Sequence, residues 1–104
     1  MAVKKRLPPI HPGVILREDL SDAGISLNRL ARDIRIPMNR ISAIVNGKRS
    51  ITADIALRLA LFFGTSPQYW MNLQSNYDIA LTEYEAGDRI KSDVKALREP
   101  IPAG

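Results

Sequence analysis

The chain has 104 residues, 45% of them hydrophobic and 25% charged, with a formal net charge of +4. That length fits one small domain with a single modest core, and that composition is ordinary for a soluble globular protein. Cysteine is absent, which excludes a disulfide framework and thiolate chemistry and suits a reducing cytoplasm; no apolar run approaches the roughly 18 residues of a membrane span.

Residues 1–10 hold Pro8, Pro9 and the basic cluster Lys4-Lys5-Arg6, which no apolar stretch follows as a secretory signal would require. They read as a basic arm ahead of a domain over 11–87. A first helix is expected from Pro12 to Asp22, with Leu16, Leu20 and either Val14 or Ile15 on its apolar side and Ala23-Gly24 ending it. Ser26 is a good N-cap for a second helix. There Leu27, Leu30, Ala31 and Ile34 fall at i, i+3, i+4 and i+7, lining one face. Pro37 stops that helix and opens a third, whose buried stripe is Ile41, Ile44 and Val45 and whose end is Gly47. Thr52 caps a fourth helix built on Ile55, Ala56, Leu59, Ala60 and Phe63, with Leu57, Leu61 and Phe62 widening its apolar face to Gly64. Ser66-Pro67 starts a fifth, with Trp70, Leu73, Tyr77, Ala80 or Leu81, and Tyr84 at helical spacing and a stop at Gly87. Residues 88–104 form a tail with room for a short helix near Ile90 to Leu97. No segment alternates with period two, so the fold class is all-α.

Charge is unevenly spread. Between Ser26 and Ser50 stand six basic residues and one acid, Asp33, a balance of +5. Between Ser66 and Asp88 stand Asp78, Glu83, Glu85 and Asp88 with no Lys or Arg, a balance of −4. The first segment suits a polyanion and the second repels one.

Residues 26–47, SLNRLARDIRIPMNRISAIVNG, put two short amphipathic helices on either side of a tight turn. That is a helix-turn-helix pattern, whose second helix enters the DNA major groove by its N-terminal end. Its apolar anchors are Leu27, Leu30, Ala31, Ile34, Ile41 and Ile44. Asn39 and Arg40 are the candidates for reading bases, since Asn pairs bidentately with adenine and Arg with guanine, while Met38 and Ala43 suit thymine methyls. Asn28, Arg29, Asn46, Lys48 and Arg49 flank this face and suit phosphates; for Asn46 a purely structural C-cap is an equal reading. The expected ligand is double-stranded DNA. One such unit reads only a few base pairs, so two copies about 34 Å apart on a palindromic site are expected. Trp70, Tyr77 and Tyr84 are candidates for the core or for a dimer surface.

Three blocks in order, IHPGVILREDL, then ISAIVNGKRSIT, then FFGTSPQYWMNLQ, resemble the HigA antitoxin family of the Xre/phage-repressor-like helix-turn-helix group, also known as virulence-associated protein I. The match covers about residues 10–82. The resemblance implies a five-helix lambda-repressor-like bundle, a homodimer, a palindromic operator in its own promoter, and a tight complex with a HigB-like toxin, an mRNA-cleaving RNase. Two features depart from the pattern. Arg35 stands where many such turns have Gly, and a left-handed conformation there costs a non-glycine residue about 1–2 kcal/mol. Beyond Thr82 no pattern is recognised.

Catalysis finds no support in the chain. The single histidine, His11, has no nucleophile or metal set beside it and reads as a capping or packing residue; no cofactor or metal is expected. Three functions remain open: an antitoxin that represses its own operon, a stand-alone Xre-type regulator without a toxin partner, and a protein-interaction module whose basic face is incidental.

Overall fold

The computed structural model describes residues 8–99; Lys4, Lys5, Arg6, Pro100 and Pro102 lie outside the described residues. Five helices follow in order: α1 (Pro12–Asp22), α2 (Leu27–Ile34), α3 (Met38–Val45), α4 (Ala53–Phe63) and α5 (Pro67–Asp93). No strand occurs among the described residues, and no described helix is long and apolar enough to cross a membrane.

Local chemistry fixes the starts. The His11 Nδ1 accepts the Gly13 N–H at 2.9 Å, the Ser26 Oγ that of Arg29 at 3.1 Å, the Thr52 Oγ1 that of Ile55 at 3.3 Å and the Ser66 Oγ that of Tyr69 at 3.2 Å. Each such cap supports its helix by about 1 kcal/mol. Pro12 and Pro67 open α1 and α5, where a missing N–H costs nothing.

The helices close over one core. Leu16, Leu30, Ile41, Ile44, Leu59 and Trp70 are fully sealed, with Leu20, Ile34, Ile36, Ile51 and Ile55 beside them. α3 packs on α1 and α2, while α2 and α5 both pack on α4 and α5 also touches α1. The α1–α3 contact is backbone to backbone. A Cβ on Gly13 would collide with the Ile44 carbonyl oxygen and come within 2.9 Å of the Val45 Cα.

Three expectations need correction, and two alternatives left open are decided. α5 does not stop at Gly87 but continues to Asp93, and there is no separate helix near Ile90–Leu97. Glycine ends a helix when it turns left-handed, as Gly24, Gly47 and Gly64 do at φ 69°, 77° and 73°; Gly87 keeps negative φ. Leu57 and Leu61 do not widen the core face of α4, since they are 54% and 87% exposed on its far side. Of Val14 and Ile15, it is Ile15 that turns inward, to half-burial. Trp70 is entirely buried, its Nε1 donating to the Thr65 Oγ1 at 3.1 Å, which removes it from any surface a second copy touches.

α5 divides into two parts. Trp70 and Gln74 are its only buried residues. From Ser75 onward no side chain is buried, and Ile79, Tyr84 and Ile90 stand exposed.

Candidate nucleic-acid interface

α2 ends and α3 begins through a three-residue turn. The Arg35 N–H donates to the Arg32 carbonyl at 3.3 Å and the Ile36 N–H to the Ala31 carbonyl at 3.0 Å. This paired closure requires a left-handed residue, and Arg35 supplies it at φ 58°, ψ 47°, the only non-glycine described residue with positive φ. Buried Ile36 pins the turn to the core. The Arg58 guanidinium adds a donor to the Ile34 carbonyl at 2.8 Å, satisfying one of the carbonyls left open at the end of α2.

Pro37 then caps α3 with no side-chain hydrogen bond. The Arg40 and Ile41 N–H groups return to the Pro37 carbonyl, while those of Met38 and Asn39 have no backbone partner. They are donors at the positive end of a helix, the arrangement that suits a phosphate.

Burial divides α3 cleanly. Ile41, Ile44 and Val45 face inward. At about 100° per residue, Asn39, Ala43 and Asn46 form the centre of the opposite face, with Ser42 and Arg40 on its two sides and Met38 at the edge. Asn39, Arg40 and Asn46 are exposed, Ser42 and Ala43 half-buried, and Met38 is 36% exposed.

Asn46 is not a free arm. Its Oδ1 accepts from the Arg17 Nη2 at 3.1 Å, and its Nδ2 donates to the Ser42 Oγ at 3.3 Å. Arg17, on α1, is thereby brought to the end of the outer face. Sequence reasoning missed Arg17, which lies outside the basic segment, and gave no role to Ser42, which stands on the outer side of α3 but carries no charge to single it out. Asn28 and Arg29 are exposed on the first turn of α2. Arg29 and Arg32 share the Asp33 carboxylate at 3.4 Å, exposed pairs that hold these cations only weakly.

Lys48 and Arg49 lie exposed on the α3–α4 loop. The loop is anchored from behind. The Ile51 N–H donates to the Gln74 Oε1 at 2.7 Å, and the Gln74 Nε2 donates to Asp78 at 2.9 Å, so a buried amide on α5 is satisfied at both ends. His11 completes the anchor: its ring stands edge-on to Tyr77 at 4.9 Å and lies beside Gly47. Burial lowers its pKa from the usual 6.5, opposed by the Arg49 backbone and the Asp78 carboxylate. Among the described residues no cluster of His, Asp and Glu is placed to hold a metal ion.

A two-helix unit with one face sealed and the other polar defines a helix-turn-helix domain, and the comparisons agree. The helix-turn-helix family model HTH_3 matches residues 16–70. Virulence-associated protein I of Dichelobacter nodosus is 45% identical over 85 residues, 81% of this chain and 79% of that protein. An addiction module antidote protein of the HigA family from Coxiella burnetii superposes with a TM-score of 0.84 at 51% identity, covering 88% of this chain and 100% of that one. The Pseudomonas aeruginosa antitoxin HigA, solved with the higBA promoter, gives 0.82 at 42% identity, covering 86% and 98%. The chain belongs to the HigA antitoxin family of the Xre-type helix-turn-helix group.

Proposed function

We propose that this chain is the DNA-binding antitoxin of a type II toxin–antitoxin pair. It acts in the cytoplasm as a homodimer on a palindromic operator in its own promoter, represses its operon, and neutralises a HigB-like, mRNA-cleaving RNase by direct binding. It performs no catalysis itself. The observation that carries the DNA part is the division of α3, whose polar outer face stands bare while three apolar residues lock its back. The likeness to a HigA antitoxin solved with promoter DNA supports the same reading.

In this reading α3 lies in the major groove. Asn39 addresses adenine, Arg40 addresses guanine, and Met38 and Ala43 touch thymine methyls. Asn28, Arg29, Lys48 and Arg49 fix the register on phosphates, with Asn46 holding Arg17 at the same edge. The second half of α5, acidic and carrying exposed Tyr84 with half-buried Tyr77, is the dimer element, because it has apolar side chains that no other described residue covers.

The test is a gel shift of the purified chain on its own upstream DNA, with and without the product of the neighbouring gene. Retardation at a palindrome, a further shift with that product, and loss of its RNase activity at stoichiometric antitoxin are expected. No retardation on any upstream fragment overturns the DNA reading. Retardation without neutralisation leaves the stand-alone regulator.

A further inference from the structure

On the other side of α1 from α3 lies a cleft of 560 Å³, walled by Phe63 and Tyr69, with the sealed Trp70 beneath them, and edged by Asp19 and Asp22. Asp19 stands two positions from Arg17, about 200° around α1. Since Arg17 touches α3, the cleft opens away from it. Neither carboxylate has a cationic partner among the described residues; the Tyr69 hydroxyl approaches Asp19 at a long 3.5 Å. Burial, then the Asp19 charge, pushes the Tyr69 phenol up from its usual pKa of 10.0.

These acids sit against local preference. Asp19 and Asp22 occupy the last turn of α1, which carries no basic residue, and the end of a helix dipole is negative. Two carboxylates, a helix C-terminus and aromatic faces all favour the same guest, a cation that can also stack. An enzyme that cleaves RNA needs a cationic surface for its polyanionic substrate.

We propose that this cleft seats an arginine or lysine side chain from the cationic surface of the RNase that the antitoxin neutralises. The proposal rests on the toxin-binding part of the proposed function. Its position lets the chain hold DNA and the RNase at once.

The test uses the full chain and the purified RNase-type product of the neighbouring gene, with binding followed by calorimetry. Asp19→Asn combined with Asp22→Asn should weaken the complex about 10- to 100-fold at low salt, and the gap should shrink toward 0.5 M salt. Tyr69→Ala should weaken it less. Operator affinity and thermal stability should not fall, since Asn suits a helix C-terminus better than Asp. A wild-type chain that binds no RNase overturns the toxin reading. A wild-type chain that binds while the double Asn variant binds equally well overturns the cleft. A hexa-arginine peptide judges the cleft independently. It should change the emission of Trp70, the chain's one tryptophan, in the wild type and not in the double variant; no change in the wild type counts against the cleft.

Discussion

The two sides of α3 are eight residues seen from opposite directions, and they obey different rules. The inner side is defined by fit. Ile41 and Ile44 have no exposed surface, and Gly13 brings a second backbone against Ile44 and Val45. The outer side is defined by what is left unsatisfied: exposed Asn39 and Arg40, and two N–H groups with no backbone partner. The inner side should therefore set stability and leave sequence preference alone, and the outer side should do the reverse.

The largest effects should come from the inner side. Ile44→Ala should cost about 2–5 kcal/mol, as truncation of a sealed side chain does. Gly13→Ala, forced against backbone that has little room to give, should cost about 1–3 kcal/mol. Denaturant unfolding measures both, and the folded fraction should keep its operator preference. Next come Asn39→Ala and Arg40→Ala, each expected to remove about 1–3 kcal/mol of discrimination between operator and mismatched DNA while leaving the unfolding midpoint in place. Unchanged discrimination in both would show that another face of α3 meets the bases. Arg35→Gly tests the joint between the two helices. Relieving the left-handed arginine should raise stability by about 1 kcal/mol, with base preference preserved. Arg49→Ala should weaken binding to every sequence alike and reduce the slope of log affinity against log salt by about one unit.

The smallest effect is a pH dependence. His11 caps α1 through an unprotonated Nδ1, and burial lowers its folded pKa below 6.5. The unfolded chain therefore takes the proton first. The cap's contribution is present above pH 6.5 and drains away as pH falls through the folded value. A melting series from pH 7.5 to 5 should show this loss, and His11→Asn, which keeps a capping acceptor, should flatten it. His11 is the only histidine, so no other imidazole titrates in that window.

Most of the inner side was legible in the sequence because it rests on local signals. Ser26, Thr52 and Ser66-Pro67 announce helix starts, Gly47 and Gly64 announce ends, and the isoleucine spacing of α3 shows its back. Features that depend on tertiary approach left no such mark. Gly13 looks like an ordinary first-turn residue until α3 is laid against it. Gln74 looks like one more solvated amide until the Ile51 N–H donates to it. The Arg17–Asn46–Ser42 chain links residues 29 apart. Gly87 misled because the same residue type ends three other helices here; what differs is the sign of φ, which composition does not encode.

The unbroken run of α5 from Pro67 to Asp93 carries a mechanical meaning. It is a rod of about 40 Å with no hinge between the body and the far tip. Should a second copy clasp the bare half, the spacing of the two reading heads would be fixed by helical phase and not by tether length. Inserting one residue after Gln74 would swing Tyr84 by about 100° and point the second head off the groove. An insertion of seven, close to two whole turns, would restore the direction while lengthening the ruler by about 10 Å.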